Sequence, residues 1–199
     1  MRKRFLFTLI IFLAVFVITS CGKKPIVSSN VYISKPVTTE LPQFSGISVD
    51  ADIDVVFTTG EQALSVYGAD NVVEHVSLTV EGETLVVKYA DGVVVVGDDN
   101  TTIYVSAPLL KAVIVNGAGE VSLAGETQNV AYTVNGSGDI DADKMLADTL
   151  TATVNGSGDI DCYARDVLVI SRSGRGEISY QGPPTLLVQG NVRGVERDD

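Results

Sequence analysis

The sequence predicts an all-β solenoid, a chain that coils so that parallel strands stack turn on turn with about 18–20 residues per coil. Three observations predict it. A glycine motif recurs four times at near-constant spacing, apolar residues alternate with period two on both sides of each copy, and no stretch carries a 3.6-residue period with caps.

The copies begin at Asn116, Asn135, Asn155 and Ser173, so successive starts lie 19, 20 and 18 residues apart. Each reads Asn or Ser, Gly, any residue, Gly, Asp or Glu, then Ile or Val. The glycines are Gly117 and Gly119, Gly136 and Gly138, Gly156 and Gly158, and Gly174 and Gly176. Upstream, Val113/Val115, Tyr132/Val134 and Ala152/Val154 occupy every second position; downstream, Val121/Leu123, Ile140/Ala142, Ile160/Cys162 and Ile178/Tyr180 do the same. Period two marks strands with one face buried. Each unit therefore reads as strand, tight glycine corner, strand and a looser return, with the glycines expected to supply the positive φ of a corner. A meander of hairpins would reverse direction at each corner; identical residues at identical phase favour coiling instead. Gly190–Val195 reads as a decayed fifth copy. Arg172 stands where Val115, Val134 and Val154 point inward; a buried guanidinium is costly, so the last coil is expected to loosen there and turn Arg172 to solvent.

A coil of about 19 residues at roughly 3.3 Å each has a perimeter near 60 Å, which the inward side chains fill. Recognition is therefore expected on the exterior. Between Phe44 and Ala107 the pattern is less regular but still β. Ile47, Val49, Ala51, Ile53 and Val55 alternate with Ser48, Asp50, Asp52 and Asp54, and residues 76–80 and 84–88 flank Glu81-Gly82-Glu83 as a hairpin. This region is read as the first coils plus a cap.

The start of the chain has the form of an export signal. Arg2, Lys3 and Arg4 precede an apolar run from Phe5 to Ile18, followed by Thr19-Ser20-Cys21. A cysteine at that position is the lipoprotein pattern, with Cys21 acylated as the new N-terminus. Gly22 after it favours outer-membrane delivery over inner-membrane retention. The expected division is a signal over 1–20, a flexible tether over 21–43 reaching roughly 25 Å, a β domain over 44–182, and a final strand, cap and acidic tail over 183–199. Lys and Arg number 14 against 25 Asp and Glu, a net charge of −11 that becomes more negative when the basic signal is removed. Such a body argues against nucleic acid and anionic phospholipid headgroups as partners and permits a basic or divalent-cation one. With Cys21 acylated, Cys162 has no disulfide partner and reads as a buried small hydrophobe.

These motifs, with Phe44-x-x-Ile47, Asp52-Ile53-Asp54-Val55, Val80-x-Gly82-x-x-Leu85 and Val105-x-Ala107-Pro108-x-Leu110, resemble the family named "putative auto-transporter adhesin, head GIN domain" over roughly residues 44–182. The resemblance implies a right-handed parallel β-solenoid (β-helix) in a secreted or lipid-anchored bacterial protein, and it brings no catalytic residues.

Little in the sequence points to chemistry. His75 is the single histidine, so a Ser-His-Asp or Cys-His arrangement would have to use it, and its strand or loop surroundings read as structural or solvated; the scarcity of His and Cys argues against zinc. The Gly-x-Gly corners lead into strands, not helices, so they are not phosphate loops. Asp50/Asp52/Asp54 and Asp139/Asp141/Asp143 begin like calcium loops, but the sixth position is Val55 or Lys144 and the second run has Leu150 at the twelfth. In-register stacking would align Glu120, Asp139, Asp159 and Glu177 about 5 Å apart, a repulsive ladder that a weakly bound divalent cation such as calcium, or a cationic ligand, would relieve. No other cofactor is expected. The leading reading is a lipid-anchored envelope protein, non-catalytic, binding a glycan, a matrix protein or another envelope protein on its exterior. The alternatives are a structural or regulatory envelope component and, third, a sugar-cleaving β-solenoid. The third suffers because the carboxylates repeat uniformly and do not pair in one groove.

Overall fold

A computed structural model describes residues 23–97, 100–190 and 194–198; the expected signal over 1–20 and the acylation site Cys21 lie outside the described residues. The strands in chain order are β1 (Lys24–Val27), β2 (Tyr32–Pro36), β3 (Gly46–Val49), β4 (Asp54–Thr59) and β5 (Ala63–Ala69). A single helical turn, α1 (Asp70–Val73), precedes β6 (Val76–Glu81), β7 (Thr84–Tyr89), β8 (Val93–Val96), β9 (Thr102–Ala107) and β10 (Ala112–Val115). Then come the long strands β11 (Val121–Val134), β12 (Ile140–Val154) and β13 (Ile160–Arg172), followed by β14 (Ile178–Gln181), β15 (Thr185–Gly190) and β16 (Val195–Arg197). The protein is all-β. Among the described residues its strands form one curled fourteen-stranded sheet and a separate two-stranded one.

The repeat sets the architecture of the curled sheet. Every strand pair from β10 to β16 is parallel. Val115, Val134, Val154 and Arg172 pair in one line, and Val121, Ile140, Ile160 and Ile178 in another. Val195 continues the second line against Ile178. No hairpin reverses the chain between Asn116 and Ile178, so the meander is excluded. The return between corners is ladder rather than loose loop: β11, β12 and β13 are 14, 15 and 13 residues long. Their lengths carry the unequal spacing of the copies, and register shifts after Ser122, Ala142 and Ala147 absorb it while the corners stay constant.

The corner glycines do a different job from the one expected. None of the eight has positive φ; among the described residues that conformation falls to Gly82, Gly92, Gly97, Gly125, Gly182 and Gly194. At the corners successive copies of the motif lie backbone on backbone. A Cβ built on Gly136 would meet the Gly117 carbonyl oxygen at 2.0 Å, on Gly156 that of Gly136 at 1.9 Å, and on Gly174 that of Gly156 at 1.9 Å. Glycine is present because nothing larger fits between rungs. The amides there bond to the rung below: Ser137 and Gly138 N–H donate to Gly117 O at 3.1 and 3.2 Å, and Arg175 N–H to Gly156 O at 2.8 Å.

Inward side chains stack in columns across the parallel strands. Ile47, Val113, Tyr132, Ala152 and Ile170 form one such column, all fully buried. Tyr132 is the largest member, and the small Ala152 on the next rung leaves room for it. Each buried Val, Leu or Ile in these columns contributes about 1.5–3 kcal/mol relative to exposure.

The N-terminal half supplies the first rungs and the cap. β7 pairs in parallel with β3, and β3 with β10; β4 pairs in parallel with β9 and β11. The expected hairpin is present, with β6 antiparallel to β7 across a two-residue loop whose Gly82 has φ 64°. β5 runs antiparallel to β9, and β2 antiparallel to β5. Two strands thus lie within 21–43, where a flexible tether was expected: β2, and β1, which pairs in parallel with β8. Ile26 is what anchors β1, since it packs with Ala69 and Val72 in a small second core.

The last full rung also differs from expectation. The strand ladder does not loosen at Arg172, which keeps its pairing with Val154 and Gly190. Its guanidinium folds back over the final corner: Nε donates to Gly176 O and Nη2 to Arg175 O at 2.8 Å. Those bonds replace the water that a half-buried guanidinium would otherwise lose.

Candidate ligand-binding face

Along the expected acidic ladder the two aspartates, Asp139 and Asp159, each accept a backbone N–H from the next rung. Asp139 Oδ1 accepts the Asp159 N–H at 2.7 Å, and Asp159 Oδ1 accepts the Glu177 N–H at 2.6 Å. Asp54 Oδ1 does the same for the Glu120 N–H at 2.9 Å, which extends the ladder to the first coil. A short carboxylate at this position caps the amide of the rung above, which gives Asp54, Asp139 and Asp159 a structural role. Among the described residues no three His, Cys, Asp or Glu side chains converge as a metal would require. Of the two Asp-x-Asp-x-Asp runs, Asp50 Oδ1 accepts from Ser48 and Asn116, and Asp141 Oδ1 accepts from the Asp143 N–H.

Beside the carboxylates runs an amide ladder that the sequence motif contained but its reading passed over. Asn116 Nδ2 donates to Asp50 Oδ1 at 2.7 Å, Asn135 Nδ2 to Asn116 Oδ1 at 2.8 Å, and Asn155 Nδ2 to Asn135 Oδ1 at 3.0 Å. Ser173 Oγ ends it on Asn155 Oδ1 at 3.0 Å. The first residue of each copy is therefore Asn or Ser because it must donate one rung down. The corner edge is architecture.

Two residues that could have carried chemistry are silent. Cys162 is buried and free, and burial, with Asp161 and Asp198 nearby, pushes its thiol up to about 12. His75 pairs with neighbouring Glu74 at 3.5 Å on the surface.

The feature that stands out lies on the outer face of the N-terminal strands. Tyr32 on β2, Tyr67 on β5 and Tyr104 on β9 are 36%, 37% and 47% exposed. Antiparallel pairing sets Tyr67 opposite Ser34 and Thr102, and Tyr104 opposite Ser65, so the three rings share one face. Tyr32 and Tyr67 stack, with centroids 5.8 Å apart and planes 21° from parallel. Asn100 Nδ2 donates to the Tyr32 hydroxyl at 3.3 Å. Tyr104 stands between two shallow troughs. One, of about 350 Å³, runs over Pro36, Val56, Ala63, Leu64 and Ser65. The other, of about 210 Å³, is lined by Asp54, Thr102, Glu120 and Ser122. The two charged side chains lining these troughs are both carboxylates, Asp54 and Glu120. No sequence motif marks this face, because its three tyrosines come from strands whose pairing is non-local.

The model of the family described as "Putative auto-transporter adhesin, head GIN domain" matches residues 43–122 and 112–184. Among solved structures, one described as a putative adhesin from Bacteroides fragilis aligns with TM-score 0.53 at 20% identity, covering 87% of this chain and all of that one. A second so described, from Parabacteroides distasonis, gives TM-score 0.40 at 17% identity over 87% of this chain and 99% of its own. A putative lipid binding protein from the same species gives 0.39 at 16% over 88% and 100%. No curated protein matches the chain. The first of these likenesses concerns fold alone, and the other two add nothing to it.

Proposed function

Because this chain belongs to the family described as putative auto-transporter adhesin, head GIN domain, we propose that it is a lipid-anchored envelope protein that binds an external partner on its outer surface and catalyses no reaction. The supporting observation is the packed column of Ile47, Val113, Tyr132, Ala152 and Ile170, all fully buried, which favours recognition on the exterior. The proposal includes the finer architecture, a right-handed β-solenoid, which the parallel in-register rungs support. It also includes the anchor. Acylation at Cys21 would hold the body at the outer membrane, with the strands from Lys24 onward standing off the bilayer. Glycan, matrix protein and envelope protein are the classes of partner considered, and the acidic body disfavours nucleic acid.

Two measurements on cells test this reading. Replacement of Cys21 by serine should move the protein from the membrane fraction to the soluble one. Protease added to intact cells should degrade the wild-type body. Full protection of the body until the outer membrane is permeabilised would overturn the adhesin reading and favour an internal structural component.

A further inference from the structure

Resting on the reading of the protein as an exterior binder, we infer that the Tyr32–Tyr67–Tyr104 face is a binding platform for a neutral glycan. The chemistry of the face selects that class. The C–H face of a pyranose ring is apolar and packs flat on an aromatic ring, while its equatorial hydroxyls need acceptors and donors around the edge. Tyr104 offers a ring 47% exposed, and Tyr32 and Tyr67 form a second, stacked aromatic surface on the same face. Between and beside them lie hydroxyl-bearing Ser65, Thr102 and Ser122.

The carboxylates complete the argument. Asp54 holds the Glu120 amide with Oδ1, and Glu120 Oε1 accepts from Ser122 Oγ at 3.4 Å. Each therefore has one oxygen engaged and a second to which no described residue donates. A carboxylate oxygen accepts strongly from a sugar hydroxyl. The same two charges repel uronate, sialate or sulfate, and no Lys or Arg lines either trough to attract them. A neutral chain fits and an acidic one does not. The troughs on either side of Tyr104 are shallow and share Val56 and Tyr104 in their walls, a shape that suits successive sugar units laid across strands better than one enclosed monosaccharide.

The test uses the full chain, purified in a detergent without a sugar headgroup, in gels cast with a neutral β-glucan, a neutral mannan or polygalacturonate. Retardation is expected in at least one neutral polysaccharide and not in polygalacturonate. Tyr104→Ala and Tyr67→Ala should each weaken the effect about tenfold, Tyr104→Phe should restore it, and Leu109→Ala, outside the face, should leave it unchanged. Absence of retardation in both neutral gels, equal retardation of the alanine variants, or preference for polygalacturonate would overturn the inference, as would loss of binding to a protein ligand alone in the tyrosine variants. If cells carrying Tyr104→Ala adhere as wild type does, the glycan assignment falls and the adhesin reading stands. If the body proves inaccessible on intact cells, the adhesin reading falls whatever the gels show.

Discussion

Replacing Gly136 by alanine tests the physical cause of the fold. The new Cβ would sit 2.0 Å from Gly117 O and 2.7 Å from Asn116 O, where ordinary contact begins at 3.4 Å. Both obstacles are backbone of the rung below, so no rotamer relieves them and the rungs must part by more than an ångström. Parting them breaks the Ser137 and Gly138 bonds to Gly117 O and strains the Asn135–Asn116 amide pair at 2.8 Å. Each bond contributes about 1 kcal/mol net, and a donor left buried costs about 1–3 kcal/mol. The expected loss is therefore about 3–5 kcal/mol, large for one methyl group. Urea unfolding followed by far-UV circular dichroism measures it. Gly82→Ala is the control: its Cβ meets nothing within 4 Å and the cost is only that of φ 64°, about 1 kcal/mol. Gly136→Asn separates the two explanations, since Asn tolerates the left-handed region and would be accepted if positive φ were the reason. A Gly136→Ala loss below about 0.5 kcal/mol, or a tolerated Asn, would refute the close-approach argument.

Other consequences are as direct. The Tyr132 hydroxyl is buried with no hydrogen-bond partner among the described residues, so Tyr132→Phe should raise stability by about 1–2 kcal/mol in the same urea assay; a loss would mean that the hydroxyl is satisfied. Cys162 should resist a thiol reagent near neutral pH in the folded protein and react at once in urea, because burial keeps the thiol protonated; rapid native labelling would contradict this. Asp161 has its carboxyl raised by burial first, opposed by a bond from Ser179 and reinforced by Asp198, Asp141 and Asp159. Its folded value lies above its unfolded one, so its favourable contribution is present below the unfolded carboxylate range and disappears as pH rises through the folded value. At neutral pH Asp161→Asn should therefore raise Tm, and the gap should close below about pH 4. A gap that widens in acid would reverse the assignment.

Much of the stacked region could be read from residues alone because its order is one-dimensional. Period two placed Val134 and Ile140 inward, and the equal phase of the copies placed Ile140 on Val121. The hairpin around Gly82 was equally legible, being local. What escaped was non-local or depended on atomic distance. Glycine at Gly136 could mean positive φ or absence of Cβ, and only the rung-to-rung separation decides between them. β1 and β2 carry no alternation, and each is paid for by a partner far along the chain, Val93–Val96 and Ala63–Ala69. The tyrosine face needs the antiparallel registers of β5 with β2 and β9 before its members meet. The carboxylate ladder was placed correctly, but the amide that each carboxylate caps belongs to the next rung and is invisible in a linear motif. Arg172 was expected in solvent because a guanidinium was weighed against an apolar interior, whereas carbonyls of the last corner were within its reach.

Each glycine corner lies in register on the one before it, and paired cysteines measure that directly. In a chain with Cys21→Ser and Cys162→Ala, cysteines are placed at Asn135 and Asn155, whose side chains touch at 3.0 Å on adjacent rungs. Parallel neighbours are about 4.8 Å apart, inside the 4.4–6.8 Å that a disulfide spans, whereas Asn116 and Asn155 are two rungs and about 9.6 Å apart. Under mild oxidation the 135–155 pair should cross-link in the folded protein and the 116–155 pair should stay reduced. A reduced 135–155 pair, or a bonded 116–155 pair, would contradict the stacking.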